Sequence, residues 1–549
     1  MKSLMLSLVW FGLCMTAFGQ HHQTSSGVKP IQSARLMSGL GKHFHPVSAR
    51  NAEAQQFFNQ GLTLVYAFNH VEAIRSFARA AGLDPQLAMA YWGIALATGP
   101  NYNETEIDAT RKKAAFEAVQ KALSLAVNAP EHERAYIEAL AKRFVVDPQA
   151  DSKKLAVDYK NAMNALVKRY PDDLDAAVLY ADSAMVLNAW KLWTPDGKPS
   201  EGTEELIAVL ESALARDPNH IGANHLYIHA VEASPRPGRA LPSADRLAIL
   251  TPSAGHLVHM PAHIYMRIGD YEAAAISNDL AAKADRAYME SIGAGGTYAA
   301  VYYSHNLHFL AAARSMQGRY ADAKRAAEQL ENNVRPFMKD LPMLDGYMAT
   351  STFLMIRFQR WVDVLKTPEP NREMIITNAL WHWGRGMAYA VTGKITNAGN
   401  ERTAFASAVK MMPAELSFGM NRANDVLKIA AYMLDAKIAR AKGNRTLAIE
   451  LLKKAVEAED ALAYTEPPDW YYPPSRESLG GALLLNGNAE EAEKVFRADL
   501  EKNRRNGRSL FGLFESLKAQ EKKYSAQSVQ REFEAAWRQA ETKLRVEDL

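Results

Sequence analysis

The sequence predicts an all-α protein, a right-handed superhelical solenoid of stacked helical hairpins. Three observations predict it. Small residues, aromatics and prolines recur with a period of about 34 residues along most of the chain. No alternation of apolar and polar residues persists beyond a few positions, so no β domain is expected. Prolines and glycines cluster between the helical stretches, as in Thr194-Pro195-Asp196-Gly197, Thr465-Glu466-Pro467-Pro468-Asp469, Tyr471 to Pro474 and Gly293 to Thr297, where they read as loops between hairpins.

Composition agrees with a folded chain and removes some function classes. Of 549 residues, 48% are hydrophobic and 23% charged, too apolar for disorder. The 64 basic and 61 acidic residues nearly cancel to a formal +3, which offers no long-range field for a phosphate backbone and makes a nucleic-acid partner unexpected.

Residues 1–19 read as an export signal. Lys2 precedes an apolar run from Leu4 to Phe18 that ends in Ala17-Phe18-Gly19, a small-x-small step that places cleavage after Gly19. The run is too short to span a bilayer, and no later uncharged stretch is long enough, so an integral membrane protein is not expected and the protein is assigned to the periplasm or the secreted fraction. The single cysteine, Cys14, falls inside this signal. The mature chain therefore has no disulfide, thiolate metal ligand or cysteine nucleophile. Residues 20–50 form an N-terminal extension, 51–540 one solenoid and 541–549 a C-terminal tail.

Within the solenoid, a unit starting at Ala54 places Gly61, Ala73, Phe77, Ala80 and Pro85 where a helical hairpin needs them. The small residues let two antiparallel helices approach, the aromatic fills the groove between hairpins, and the proline ends the second helix. The same logic returns at Gly269, Tyr271, Ala274 and Ala281, at Gly386, Tyr389 and Gly393, and at Gly480, Gly487, Ala492 and Phe496. About eleven units fit the period. Residues 104–170 are helical by pattern without a clear register.

On these residues the chain resembles the tetratricopeptide repeat family over most of its mature length. More narrowly, it is similar to secreted bacterial repeat proteins that carry segments of the form His225-Leu-Tyr-Ile-His229-Ala-Val-Glu232 and Gly255-His256-Leu-Val-His259-Met-Pro-Ala-His263. The resemblance implies stacked hairpins and a concave inner surface formed by the first helix of each, where family members usually bind peptides.

Eight of the fifteen histidines lie between residues 220 and 308, a density that packing does not require. His256, His259 and His263 share one helical face at i, i+3 and i+7, as do His225 and His229 at i, i+4. By the repeat phase these rings, with His305 and His308 of the following unit, point into the concave surface, and Asp182 adds a carboxylate. An i, i+4 histidine pair is the spacing by which zinc proteases hold one ion. Imidazole and carboxylate ligands suit zinc, copper, iron or nickel rather than calcium or magnesium. The candidate metal ligands are therefore His225, His229, His256, His259, His263, His305 and His308. Glu232, one turn beyond His229, is the candidate catalytic residue, as a general base or else a further ligand.

A histidine standing alone in such a fold is usually a polar packing element, and His70, His220 and His382 are read that way. Trp383 reads as core. Glu477 and the turn Gly99 to Asn103 could face the superhelix interior. No hydrolase serine motif, HExxH or phosphate-binding loop is present. The function expected is a histidine-rich pocket binding a transition metal ion (zinc, copper or iron), with metal-dependent hydrolase or oxidase chemistry on a small molecule as its enzymatic form. The alternative is a metal-free scaffold that binds a peptide or glycan in the concave groove.

Overall fold

Phe77 shows how the hairpins close. Its ring sits where two glycines leave room: a Cβ on Gly61 would lie 2.7 Å from it, and one on Gly93 would overlap it. These three residues bring together helices α1 (Ala52–Tyr66), α2 (His70–Leu83) and α3 (Ala88–Thr98), and Phe77 is fully buried. Asn51 caps α1 by accepting the Glu53 N–H at 2.8 Å, satisfying a donor that a helix start leaves open.

The computed structural model describes residues 34–147, 149–293, 296–470 and 473–549. The expected export signal 1–19, with its expected cleavage after Gly19, and Cys14 lie outside the described residues. So do parts of two expected loops, at 294–295 and 471–472. The contacts divide the chain into two compact units. One takes the described residues up to Ile264 together with the stretch from Lys283 to 293. The other takes Tyr265–Ala282 and the described residues from 296 to Leu549.

In the first unit the three opening helices are followed by α4 (Ala109–Ala126), α5 (Glu131–Leu140), α6 (Ser152–Arg169), α7 (Leu174–Leu187), α8 (Thr203–Arg216), α9 (Ile221–Glu232), α10 (Leu241–Leu250) and α11 (Gly255–His259). Helices adjacent in sequence pack on one another, α1 on α2, α2 on α3, α7 on α8 and α8 on α9, as in an α-solenoid. The stretch 104–170, whose register the pattern left open, is the three helices α4 to α6.

Two helices follow, α12 (Pro261–Ile268) and α13 (Tyr271–Ile292). The expected helix through His256, His259 and His263 is interrupted only at Met260, which keeps helical angles (φ −50, ψ −37) and donates its N–H to the His256 carbonyl. Pro261 has no N–H to donate and its ring crowds the preceding turn, which ends the first segment at His259.

The second unit contains the turn α14 (Gly296–Tyr298) and helices α15 (Ser304–Met316), α16 (Tyr320–Val334), α17 (Thr350–Arg357), α18 (Trp361–Lys366), α19 (Ile375–Val391) and α20 (Ile395–Lys410). After them come α21 (Ala423–Ala441), α22 (Arg445–Asp460), α23 (Ser475–Leu485), α24 (Ala489–Lys502), α25 (Gly507–Ala519) and α26 (Lys523–Ala536). Phe496 of α24 repeats the Phe77 arrangement against Gly480 and Gly512. Trp383, fully buried as expected, packs on Trp470 at 5.4 Å between ring centroids. Among the described residues the β structure is one two-residue antiparallel pair, β1 (Ser417–Phe418) with β2 (Asn421–Arg422), and two isolated bridges. The protein is all-α, as its sequence predicts.

From residue 34 to Asn51 the N-terminal extension runs as a strap over the first unit. The Met37 N–H donates to Gln60 Oε1 at 2.7 Å and the Ser253 N–H to the Gly39 carbonyl at 3.0 Å. Gly41 has φ +84, and a Cβ there would stand 2.9 Å from the Leu250 carbonyl oxygen. Only glycine takes that conformation against that wall at no cost.

Candidate histidine centre

The histidine centre is built on α9, every residue of which is buried. Gly222 makes room for Tyr66, whose ring would lie 2.6 Å from a Cβ at that position. This approach brings the Tyr66 carbonyl oxygen to 2.6 Å from His225 Nδ1. One turn on, His229 Nδ1 lies 2.7 Å from Glu232 Oε1. The second oxygen of the same carboxylate lies 2.6 Å from His263 Nδ1. For His225 and His229 an oxygen acceptor holds the ring proton on Nδ1 and turns the Nε2 lone pair the other way.

Two of those rings meet another imidazole through Nε2. His256, carried by α11, places its Nε2 3.2 Å from His225 Nε2, and His259 Nε2 is 2.9 Å from His263 Nε2. His225, His229 and His256 each offer one ring nitrogen, and the three lie within 4.8 Å of one another. Two nitrogens bound to one tetrahedral ion at about 2.0–2.1 Å are about 3.3 Å apart. The His225–His256 spacing matches this edge and is also that of an N–H···N hydrogen bond. Tyr66 O and Glu232 take the far nitrogens of His225 and His229, as oxygen acceptors usually do for metal-bound histidines.

Electrostatics favour the same occupant. Burial, then the neighbouring His229, pushes the His225 pKa well below the ordinary imidazole value. Burial, then His225 and His259, does the same for His256. His229 is also lowered by burial, against the pull of Glu232. Burial alone would raise Glu232, but the adjoining His263 and the hydrogen bonds from His229 and His263 outweigh it and keep the carboxylate ionised. Neutral imidazoles beside one carboxylate are the protonation states that a divalent cation requires.

Aromatic side chains cover the centre. The Phe68 ring lies 4.5 Å from His225, 5.4 Å from His256 and 6.0 Å from His229 between centroids. Phe68 holds φ at +54, a left-handed conformation uncommon for a bulky residue and one that clusters at functional sites. Tyr102, from the turn Gly99 to Asn103, packs 5.1 Å from His229, and Trp190 packs 5.8 Å from it. The rings expected on an open concave surface are instead enclosed, His225, His229, His256, His259 and His263 being at most 4% exposed. The helical spacing is as expected; the closure comes from Phe68, Tyr102 and Trp190, which lie outside the helix that bears His225 and His229.

His305 and His308 stand on α15 in the second unit. His305 packs edge-on to Phe309 at 5.5 Å and His308 to Tyr347 at 5.2 Å; burial takes the His308 pKa down to about 4. Asp182 lines a small cavity with Tyr66, Phe68, His70 and Leu226, where burial, against the pull of Arg143, raises its pKa to about 6. Glu477 is buried in an ion-paired hub, 3.1 Å from Arg357 Nη1 and 2.6 Å from Arg508 Nε. His382 bonds Glu401 at 2.7 Å, the packing role expected of it.

A second group was invisible in the repeat pattern. Asp175 of α7 is surrounded by His43 and His45 from the strap, His220 from the start of α9, and the Tyr66 hydroxyl, which donates to Asp175 Oδ1 at 2.5 Å. His45 also shares a cluster with Asp173 and Asp175. The His43-x-His45 and Asp173-x-Asp175 spacings were its signals in the sequence, but neither follows a helical period.

No family model matches the chain, and no curated protein is found similar to it. Solved structures do align. The human IFIT1 dimer with m7Gppp-AAAA aligns at 13% identity over 90% of this chain and 92% of that chain, with a TM-score of 0.32. Yeast Tom70 aligns at 11% over 88% and 90%, TM-score 0.28. The APC/C hetero-tetramer Cut9-Hcn1 aligns at 12% over 89% and 78%, TM-score 0.31. Likenesses of this size carry no argument about this chain, and its fold stands on its own helices. Among the described residues, no helix is long and apolar enough to cross a membrane.

Proposed function

We propose that this protein binds a transition metal ion at His225, His229 and His256, with Glu232 and the Tyr66 carbonyl orienting the ring nitrogens, and that it does so in the periplasm or the secreted fraction. The observation that carries the proposal is the 3.2 Å approach of His225 Nε2 to His256 Nε2, with the far nitrogen of His225 already engaged by a carbonyl. Export rests on the signal-like residues 1–19. On this reading Glu232 is an orienting carboxylate, its two oxygens lying 2.7 Å from His229 Nδ1 and 2.6 Å from His263 Nδ1. Three imidazoles leave a fourth position on a tetrahedral ion, where zinc would acidify a bound water and copper or iron would meet oxygen.

The test is metal content per chain, measured on protein purified from the export compartment and again after loading with Zn²⁺. The variant His225→Ala/His256→Ala is expected to lose one equivalent while keeping its helical circular dichroism. Unchanged stoichiometry in that variant, or a wild-type protein that takes up no metal, refutes the reading and leaves a metal-free pocket.

A further inference from the structure

We propose that a second transition metal ion binds at Asp175, held by Asp175 Oδ1 and the Nε2 atoms of His43 and His220. His43 Nε2 and His220 Nε2 approach the same oxygen at 3.0 and 3.2 Å, too poorly aligned to complete a regular hydrogen bond. Atoms this close that do not point hydrogens at one another are spaced as ligands around a shared ion, whose tetrahedral edge is about 3.3 Å. The side chains are 9% exposed for His43, 8% for Asp175 and 3% for His220. An imidazole nitrogen buried without a partner is costly unless something coordinates it.

The donor set is two nitrogens and one oxygen, suited to zinc, copper or iron and not to calcium or magnesium. The carboxylate is oriented as ligating carboxylates are. Tyr66 donates to Oδ1 at 2.5 Å and His45 Nδ1 lies 2.8 Å from Oδ2. The nearby imidazoles keep Asp175 ionised although burial alone would protonate it. Binding through His220 Nε2 moves that ring's proton to Nδ1, so the 3.2 Å contact that caps α9 at Ala223 is exchanged for the metal bond. This ion is independent of the one at His225. It would also fasten the strap, which contributes His43, to α7 and α9.

The test titrates Co²⁺ into the metal-free full-length mature chain, reading stoichiometry by calorimetry and coordination by visible absorption. The wild type is expected to take two equivalents and His225→Ala/His256→Ala one. Adding His43→Gln to that background is expected to weaken the remaining site at least tenfold and to change its absorption band. Wild-type protein that binds one equivalent, lost with His43→Gln but kept in His225→Ala/His256→Ala, supports this site and refutes the other. No binding in the His225→Ala/His256→Ala background, or equal affinity with and without His43→Gln, overturns the proposal. Asp175→Asn is expected to act like His43→Gln; if that variant fails to fold, His43→Gln decides, because His43 lies on the strap outside every helix.

Discussion

Tyr66 and His225 meet through a main-chain oxygen: the tyrosine carbonyl lies 2.6 Å from the imidazole Nδ1, while the hydroxyl of the same tyrosine reaches Asp175 at 2.5 Å. One residue at the end of α1 thus touches both histidine groups of the first unit, by its backbone on one side and its side chain on the other. Tyr66→Phe keeps the carbonyl and removes the hydroxyl. It is expected to leave binding at His225 unchanged and to weaken binding at Asp175, which Co²⁺ titration of the single variant would read; equal loss at both would show that the hydroxyl supports the two groups together.

Glu232→Gln keeps the shape of the residue that orients His229 and His263 but replaces one acceptor oxygen with an amide that cannot accept an N–H. Loss of such an orienting partner costs about 10–100-fold in metal affinity. Competition with a chromophoric chelator measures it. Affinity within about twofold of wild type would mean that Glu232 does not position the ligands.

Gly61→Ala and Gly480→Ala place a methyl group against Phe77 and Phe496. Overpacking of this kind costs about 1–3 kcal/mol, and Phe77→Ala, which empties the same space, about 3–5 kcal/mol. Urea denaturation of metal-free protein gives both values. A Gly61→Ala variant as stable as wild type would show that the two helices are free to separate and accept the methyl.

Glu477 is buried between two guanidinium groups and also accepts from Asn506 Nδ2 at 2.8 Å. Glu477→Ala leaves two buried cations uncompensated, and breaking such a group costs about 3–5 kcal/mol. Thermal and denaturant midpoints should both fall; a change below about 1 kcal/mol would mean that water replaces the carboxylate.

Asp469 accepts N–H groups from Met420, from the Asn421 backbone and from the Asn421 side chain at 2.7–3.2 Å, yet burial, the larger effect, raises its pKa to about 7. The folded chain then holds a proton that the unfolded chain releases near pH 4. Stability from this group is therefore highest in acid, falls as pH rises from about 4 to about 7, and is level above. Asp469→Asn should gain on wild type between pH 5 and pH 8 in denaturant midpoint. A gap between the two proteins that does not change with pH would show that Asp469 is ionised throughout.

What could be read from the sequence depended on how local the determinant was. Gly61 with Phe77 and Gly480 with Phe496 stood out because small and aromatic residues within one hairpin recur with its period. His225, His229 and Glu232 stood out because one helix turn sets their face. The enclosure of that face did not, because Phe68, Tyr102 and Trp190 lie about 40 to 160 residues earlier, in turns that no period marks. The Asp175 group was hidden for the same reason: His45 reaches Asp175 across 130 positions, and a strap without secondary structure has no spacing from which to read its partner. Pro261 was visible, but its effect on the helix through His256 and His263 follows from its backbone chemistry, not from the histidine spacing that drew attention to the segment.

The strap also constrains the order of events at birth. Residues 37 to 48 come early from the ribosome, yet their partners include Asp175, Leu250 and Ser253. A chain threaded N-terminus first must keep this segment waiting until some two hundred further residues have emerged. The opening hairpins can close on their own glycines and aromatics meanwhile, but the lash across them is tied last, and a nascent chain halted before Ser253 would carry it loose.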